Sequence, residues 1–407
     1  MAPLSPSFTL QNSLLGLLRV LGLSFCYLVG LAIYRLYFHP LAAYPGSRIC
    51  AITHIPYLWN LVKGRQLDYV GRLHEVYGDV VRVDPNQLSF INGEAWKDIY
   101  GHRQGKPEMA KDRKFYTSHP GGEHIITANR EDHSRFRKNL SHGMSDSSIR
   151  QQEPLIQNYA NLLLQRIEEH CQDGQAPQNM CSWYNWFTFD IIGDLTFGES
   201  FGCLENSGYH PWVKLIFDSI KTGVYMNVLA YIPFAQKAAS LFIPKELLEG
   251  KKVHEDLTIE KVKHRLAIEE ERPDFFNYIM KRKEKGFTFP EFLSNSAILI
   301  IAGSETTATI LSGVTYLLLK NPDKLAKAVD EVRSSFSHKD EITIYATTGL
   351  KYMIACLEEA LRVYPPAPIG LPRVVPEEGD YIAEKWVPGG LGMGRDAIDL
   401  SQDTVQL

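Results

Sequence analysis

One stretch limits what this chain can become. Residues 296–320 read SAILIIAGSETTATILSGVTYLLLK, almost wholly apolar, yet with Gly303, Ser304, Glu305, Thr306 and Thr307 at the centre. A segment this long and apolar either spans a bilayer or crosses the middle of a large protein core. A glutamate among hydroxyls inside lipid is expensive and needs partners. A transporter or receptor with two membrane spans is therefore the weaker of the two readings. In a core helix, Ser and Thr hydroxyls bond back to carbonyls one turn earlier, bending the helix or opening its ladder. Gly303 removes a side chain, so a flat ligand could approach the backbone. Glu305 and Thr306 would then stand at the opening, able to hold water and pass protons.

A second apolar segment lies near the N-terminus. Residues 14–34 carry a single charge, Arg19, and are long enough to cross a bilayer. Arg35, His39 and Arg48 follow it, whereas residues 1–13 carry no charged side chain. The positive-inside rule then places the C-terminal side in the cytosol and residues 1–13 in the lumen. A cleaved signal peptide would need a basic n-region, which residues 1–13 lack. Residues 35–46, ending in HPLAAYPG, read as a Pro-rich hinge between anchor and domain.

Beyond the hinge the pattern is mixed but mostly helical. GDVVRVDPNQLSFING (78–93) reads as two short strands around Asp84-Pro85-Asn86. A basic helix is expected near 133–144, an amphipathic one over 151–170 and a buried one over 186–198. Residues 212–244 are rich in aromatic and aliphatic side chains, suited to helix packing, a substrate route or a membrane surface. Residues 251–271 form a charged helix, read as a solvated face and stopped by Pro273. No linker divides 47–390, so the fold class is mainly α with a minor β part, in one domain. Residues 391–407 read as a divergent tail. The formal net charge of −4, without a long basic run, gives no reason to expect nucleic acid. The six cysteines form no C-x-x-C pair and no zinc-spaced cluster.

CLEEALRVYPPAP (356–368) places Glu359 and Arg362 three apart on one helical face, with Pro365 and Pro366 ending the helix. AGSETT (302–307), followed about fifty residues later by EALRVYPP, resembles the cytochrome P-450 family of haem-thiolate monooxygenases. HPLAAYPG, YGDVVRVDPNQLSF, DHSRFRKNLSHGMSD, FDIIGDLTFGESFGCLE and LPRVVPEEGDYIAEKWVPGG extend the resemblance to fungal microsomal members. It implies that 47–390 is a catalytic domain holding haem b. Glu305 and Thr306 match the acid and alcohol that deliver protons. Ala302 and Gly303 match positions that leave room for oxygen and substrate. His133 and Arg137 match the pair that meets one haem propionate, and Arg373 matches the arginine at the other. Glu359 and Arg362 match a structural ion pair suited to burial.

The resemblance also implies electrons from NADPH through a cytochrome reductase, and a single-pass protein of the endoplasmic reticulum membrane facing the cytosol. The substrate would be a lipophilic small molecule of secondary metabolism. One part of the pattern is missing. The family's cysteine loop, F-x-x-G-x-R-x-C-x-G, does not occur, and Cys26, Cys50, Cys171, Cys181, Cys203 and Cys356 match no ligand position. The expectation is a C-terminally truncated member with no axial ligand for the metal. The alternative to an active monooxygenase is thus an inactive remnant that cannot ligate haem iron.

Overall fold

The computed structural model describes residues 6–116, 122–231, 245–268, 272–281 and 286–395. Fifteen α-helices and seven short strands occur among them, which bears out a mainly helical chain with a minor β part. The chain divides into two compact units.

The first unit comprises Met1–Asp112 and Ile369–Ile398. It contains α1 (Pro6–Tyr37), α2 (Arg48–Ile52), α3 (Ile55–Val62), α4 (Gln66–Tyr77) and α5 (Gly93–Tyr100). Its five-stranded sheet has the order β1-β2-β7-β4-β3, built from β1 (Val80–Asp84), β2 (Gln87–Phe90), β3 (Ala110–Lys111), β4 (Arg373–Val374) and β7 (Gly392–Arg395). A separate hairpin pairs β5 (Asp380–Ile382) with β6 (Lys385–Val387). The expected β1–β2 hairpin is present, with Val80 opposite Phe90. The Asp84 carboxylate accepts the Asn86 amide at 3.2 Å and closes the turn, which is why this residue pair signals one.

Within α1, Leu14–Tyr37 is a 24-residue candidate span of mean hydropathy 2.0, and its side chains are exposed. Residues 39–46, read as a stiff Pro-rich hinge, are docked on the core of this unit: Leu41 is fully buried with Val80, Leu88, Phe90 and Met393. The Arg82 amide donates to the Pro45 carbonyl at 2.7 Å, which ties the segment to β1. Residues 391–395, the start of the divergent tail, join the sheet. β7 pairs in parallel with β2 and antiparallel with β4, and Leu391 and Met393 enter the core. Without helical or alternating periodicity, neither segment announced itself. Residues 396–407 lie outside the described residues.

The second unit comprises Arg113–Pro368 and Asp399–Leu407. Its helices are α6 (Arg130–Leu140), α7 (Asp146–Cys171), α8 (Met180–Phe197), α9 (Pro211–Ala230), α10 (Lys245–Ala267), α11 (Asn277–Lys281), α12 (Phe289–Lys320), α13 (Pro322–Ser335), α14 (Ile344–Thr347) and α15 (Lys351–Val363). The stretch at 296–320 is the larger part of α12, and α8, α10, α13 and α15 all pack against it. It passes the length and apolarity test for a span, with mean hydropathy 1.5. Yet Asn295, Ser296 and Ser304 are fully buried on it, so it is a core helix, on which Asn295 and Ser304 find partners in protein. The core joins Phe189, Ile192 and Phe197 of α8 to Phe292, Leu299 and Ile300 of α12, with Trp212 and Phe276 beside them.

The charged helix α10 is only partly a solvated face. Thr258, Val262 and Arg265 are buried, and Arg265 pairs with Asp274 at 2.7 Å. The helix ends at Ala267, ahead of Pro273. Of the aromatic-rich region, α9 covers Pro211–Ala230, with Trp212 and Val213 buried. Residues 232–244 lie outside the described residues.

Gly46 is a sharp test of how residues 39–46 are docked. A Cβ there would lie 2.6 Å from the Arg82 carbonyl oxygen, a backbone atom of β1 that cannot swing aside. Gly46→Ala is expected to lower stability by about 1–3 kcal/mol, the usual cost of overpacking. Thermal unfolding in detergent checks it, and an unchanged midpoint contradicts the docking.

Candidate active site

Ala302 and Thr306 stand one turn apart on α12 and both are exposed, so they form one open face. The Thr306 hydroxyl donates to the Ala302 carbonyl at 2.6 Å, and the Ser304 hydroxyl donates to Ile300 at 2.6 Å. The back-bonding expected from the sequence is therefore present. The opened ladder is not, because α12 runs unbroken from Phe289 to Lys320. Back-bonding hydroxyls supplement the i→i−4 bonds here without replacing them.

Gly303 has a packing role that the sequence did not announce. A Cβ built on it would lie 2.5 Å from Ile192 Cδ1 and 3.0 Å from Ile192 Cγ1, on α8. The absent side chain lets two helices meet at this point. Glu305 is half-buried, and burial raises its carboxyl pKa above the ordinary value. Its Oε1 is buried with no hydrogen-bond partner. Tyr209 lies close enough to feel that carboxylate: its phenol pKa is raised first by burial, then by Glu305. Tyr209 also meets the Trp186 ring of α8 edge-on at 5.9 Å. Sequence reasoning passed over Tyr209, since no motif surrounds it.

The start of α12 is tied to α6. Arg135 grips Glu291 through two hydrogen bonds of 2.5 and 3.1 Å. Glu291 also accepts the Thr288 amide at 2.8 Å as half of a capping box. One carboxylate thus caps α12 and holds α6. Fully buried Asn295 accepts the Ile125 amide at 3.0 Å and donates to the Glu291 carbonyl at 2.8 Å. His133 and Arg137 stand one turn apart on α6, His133 half-buried and Arg137 exposed. Neither Arg135 nor Asn295 was singled out in the sequence, although the S/T-x-x-E pattern at 288–291 signals the cap.

Arg373 belongs to the other unit, in β4, with its guanidinium 5.7 Å from the Tyr100 ring centre. The Glu359–Arg362 pair forms on α15 as a two-pronged contact of 2.7 and 2.6 Å. It is not the deeply buried pair expected, as the Arg362 and Glu359 side chains are 42% and 21% exposed. The Arg362 guanidinium holds the Glu359 carboxyl below its usual range.

The model of the family described as Cytochrome P450 matches residues 51–385. The chain belongs to the cytochrome P450 family. It is 46% identical to cytochrome P450 monooxygenase astA of Talaromyces wortmannii, over 92% of this chain and 76% of that protein. It is 41% identical to the trichothecene C-15 hydroxylase of Fusarium sporotrichioides, over 93% of this chain and 78% of that protein. With cytochrome P450 monooxygenase cpaH of Aspergillus oryzae it shares 39% identity, over 97% of this chain and 76% of that protein.

Membership of the P450 family implies haem. The α12 side fits one: an open Ala302–Thr306 face stands beside a half-buried acid with an orphan oxygen. The cysteines do not fit as its thiolate ligand. Burial pushes the Cys50 and Cys356 thiols up, and Cys203 up to about 12, against thiolate formation. Cys26 lies in the apolar span, Cys171 donates to the Glu168 carbonyl, and Cys181 is exposed on the first turn of α8.

Two outcomes follow from this geometry. Gly303→Ala should cost about 1–3 kcal/mol by overpacking. Ile192→Val removes the clashing Cδ1 and should return part of that loss in a double-mutant cycle. Additive losses would show that the helices do not meet there. For Glu305, a raised folded-state pKa means the folded chain binds more protons than the unfolded one above the ordinary carboxylate pKa. Stability therefore falls as pH rises through the folded pKa. Glu305→Gln should raise the thermal midpoint at pH 8, with the gain vanishing towards pH 4. A gain independent of pH would contradict the burial of the acid.

Proposed function

We propose that the α12 site serves a membrane-bound monooxygenase that oxidises a lipophilic small molecule, in fungal secondary metabolism, on haem b. The reading rests on one observation above others: a half-buried glutamic acid with an unpartnered oxygen, one residue from a threonine hydroxyl on an open helix face. Haem, when bound, supplies the activation of dioxygen. Glu305 holds a proton at a carboxyl that burial keeps neutral to higher pH than usual, which suits a proton donor near neutrality. The Thr306 hydroxyl gives its hydrogen to Ala302 and keeps its lone pairs for a water or an acid. Ala302 keeps the open face low. His133, Arg137 and Arg373 are the cations proposed for the two propionates. Electrons would come from NADPH through a cytochrome reductase, with the domain on the cytosolic side of the endoplasmic reticulum membrane.

A second reading has its own observation. None of the six cysteines stands in a loop of the F-x-x-G-x-R-x-C-x-G form, which favours a chain that does not ligate haem iron. Carbon monoxide difference spectra of the dithionite-reduced chain separate the two. No thiolate-type Soret band is expected from the chain itself. The same chain joined to a loop of the F-x-x-G-x-R-x-C-x-G form should gain the band. Thr306→Ala in that fusion should cut product formation by about 10²-fold, the scale of a lost proton-transfer group. A thiolate band from the unmodified chain would show that one of the six cysteines ligates iron. A fusion with the band but indifferent to Thr306 and Glu305 would sink the proton-relay reading.

A further inference from the structure

A cavity of about 240 Å³ lies at the foot of the membrane helix, lined by Leu36, Tyr37, Ala42, Tyr44, Gly46, Arg48, Ala51 and Arg82. Leu36 and Tyr37 close the 24-residue apolar span Leu14–Tyr37. The cavity therefore sits where a bilayer's hydrocarbon gives way to headgroups. Arg82 is only 2% exposed. Its three hydrogen bonds all end on carbonyl oxygens, two on Pro85 and one on Arg35, so no bonded carboxylate cancels its charge. The nearby acid, Asp84, favours the Arg82 charge through space without a hydrogen bond to it, and is itself engaged by His54 at 2.5 Å and by the Asn86 amide. Arg48 adds an exposed second guanidinium.

We infer that this cavity is a headgroup site for an anionic phospholipid, whose phosphate would meet Arg48 and Arg82 while Leu36 and Ala42 flank its glycerol end. Burial works against the Arg82 charge more than the neighbouring Asp84 restores it, so an anion entering the cavity would be favoured there. Basic pockets beside membrane helices hold acidic headgroups for this reason. The local field agrees: His39 is held below its usual pKa by burial first and then by Arg82 and Arg35. A free phosphate offers the same oxygens but not the acyl chains that bring a lipid to this depth.

The test uses the full chain in a neutral detergent, titrated with dihexanoyl phosphatidylserine and followed by native mass spectrometry. One saturable molecule per chain is expected. Arg48→Glu should weaken it by about tenfold or more, since each basic residue near an acidic surface is worth roughly 1 kcal/mol. Ala42→Phe, which fills the cavity from its other wall, should weaken it as well. Lys63→Glu, a charge change outside the cavity, should leave it unaltered. Equal binding of dihexanoyl phosphatidylcholine, or an unchanged Arg48→Glu, would overturn the site. Inorganic phosphate binding as tightly as the lipid would overturn the lipid as its source.

Discussion

The second unit depends on how closely α12 approaches α8. At Gly303 the place of a side chain is taken by Ile192, and that single omission lets two apolar helices lie side by side. Burial of Phe189, Ile192, Leu299 and Ile300 follows from it. A fully buried aliphatic side chain contributes about 1.5–3 kcal/mol, so the seam is worth more than any polar contact near it. It also divides the labour around α12. The side bearing Gly303 is committed to α8, while Ala302 and Thr306 are left open.

An apolar helix with one free face still has to position polar groups without unravelling. Ser304, Thr306 and Ser312 each donate to the carbonyl one turn earlier, so their hydroxyl hydrogens are satisfied inside the helix. What remains outward is acceptor capacity. Glu305 differs, since its buried Oε1 has no hydrogen-bond partner among the described residues, and an unsatisfied buried oxygen costs about 1–3 kcal/mol. Ser296 Oγ, earlier on the same helix, is likewise buried without a partner among the described residues. The Arg135–Glu291 contact and the Asn295 bridge fix the lead-in to α6 against the start of α12. The helix carrying His133 and Arg137 therefore cannot drift from the one carrying Glu305.

The sequence revealed what local chemistry encodes. The Asp84-Pro85-Asn86 turn, the α8 and α12 periods and the polar interruption at 303–307 could all be read from residue types. The role of Gly303 could not: a glycine that admits a ligand and a glycine that admits Ile192 are written with the same letter. The buried face of α10 was hidden for a related reason. Arg265 sits in the core because Asp274, nine residues on, neutralises it there, and a hydropathy pattern scores that arginine as solvent. Residues 39–46 and β7 form only by pairing with β1 and β2, whose edges exist after folding.

The first unit has a comparable pivot in Arg82. Its guanidinium reaches the Arg35 carbonyl at 2.9 Å, an acceptor near the C-terminal end of α1 that no residue within the helix supplies with a donor. Its own amide holds Pro45, and Arg35 in turn donates to the Ile52 carbonyl at 2.5 Å. The end of α1, the candidate membrane anchor, residues 39–46 and strand β1 are thus closed into one ring of hydrogen bonds. A ring of this kind transmits tilt: if α1 leans, β1 must follow or Arg82 must release a carbonyl. Rigid coupling, and not a flexible tether, is what the two prolines of HPLAAYPG then serve, because each removes a backbone freedom that would otherwise loosen the ring.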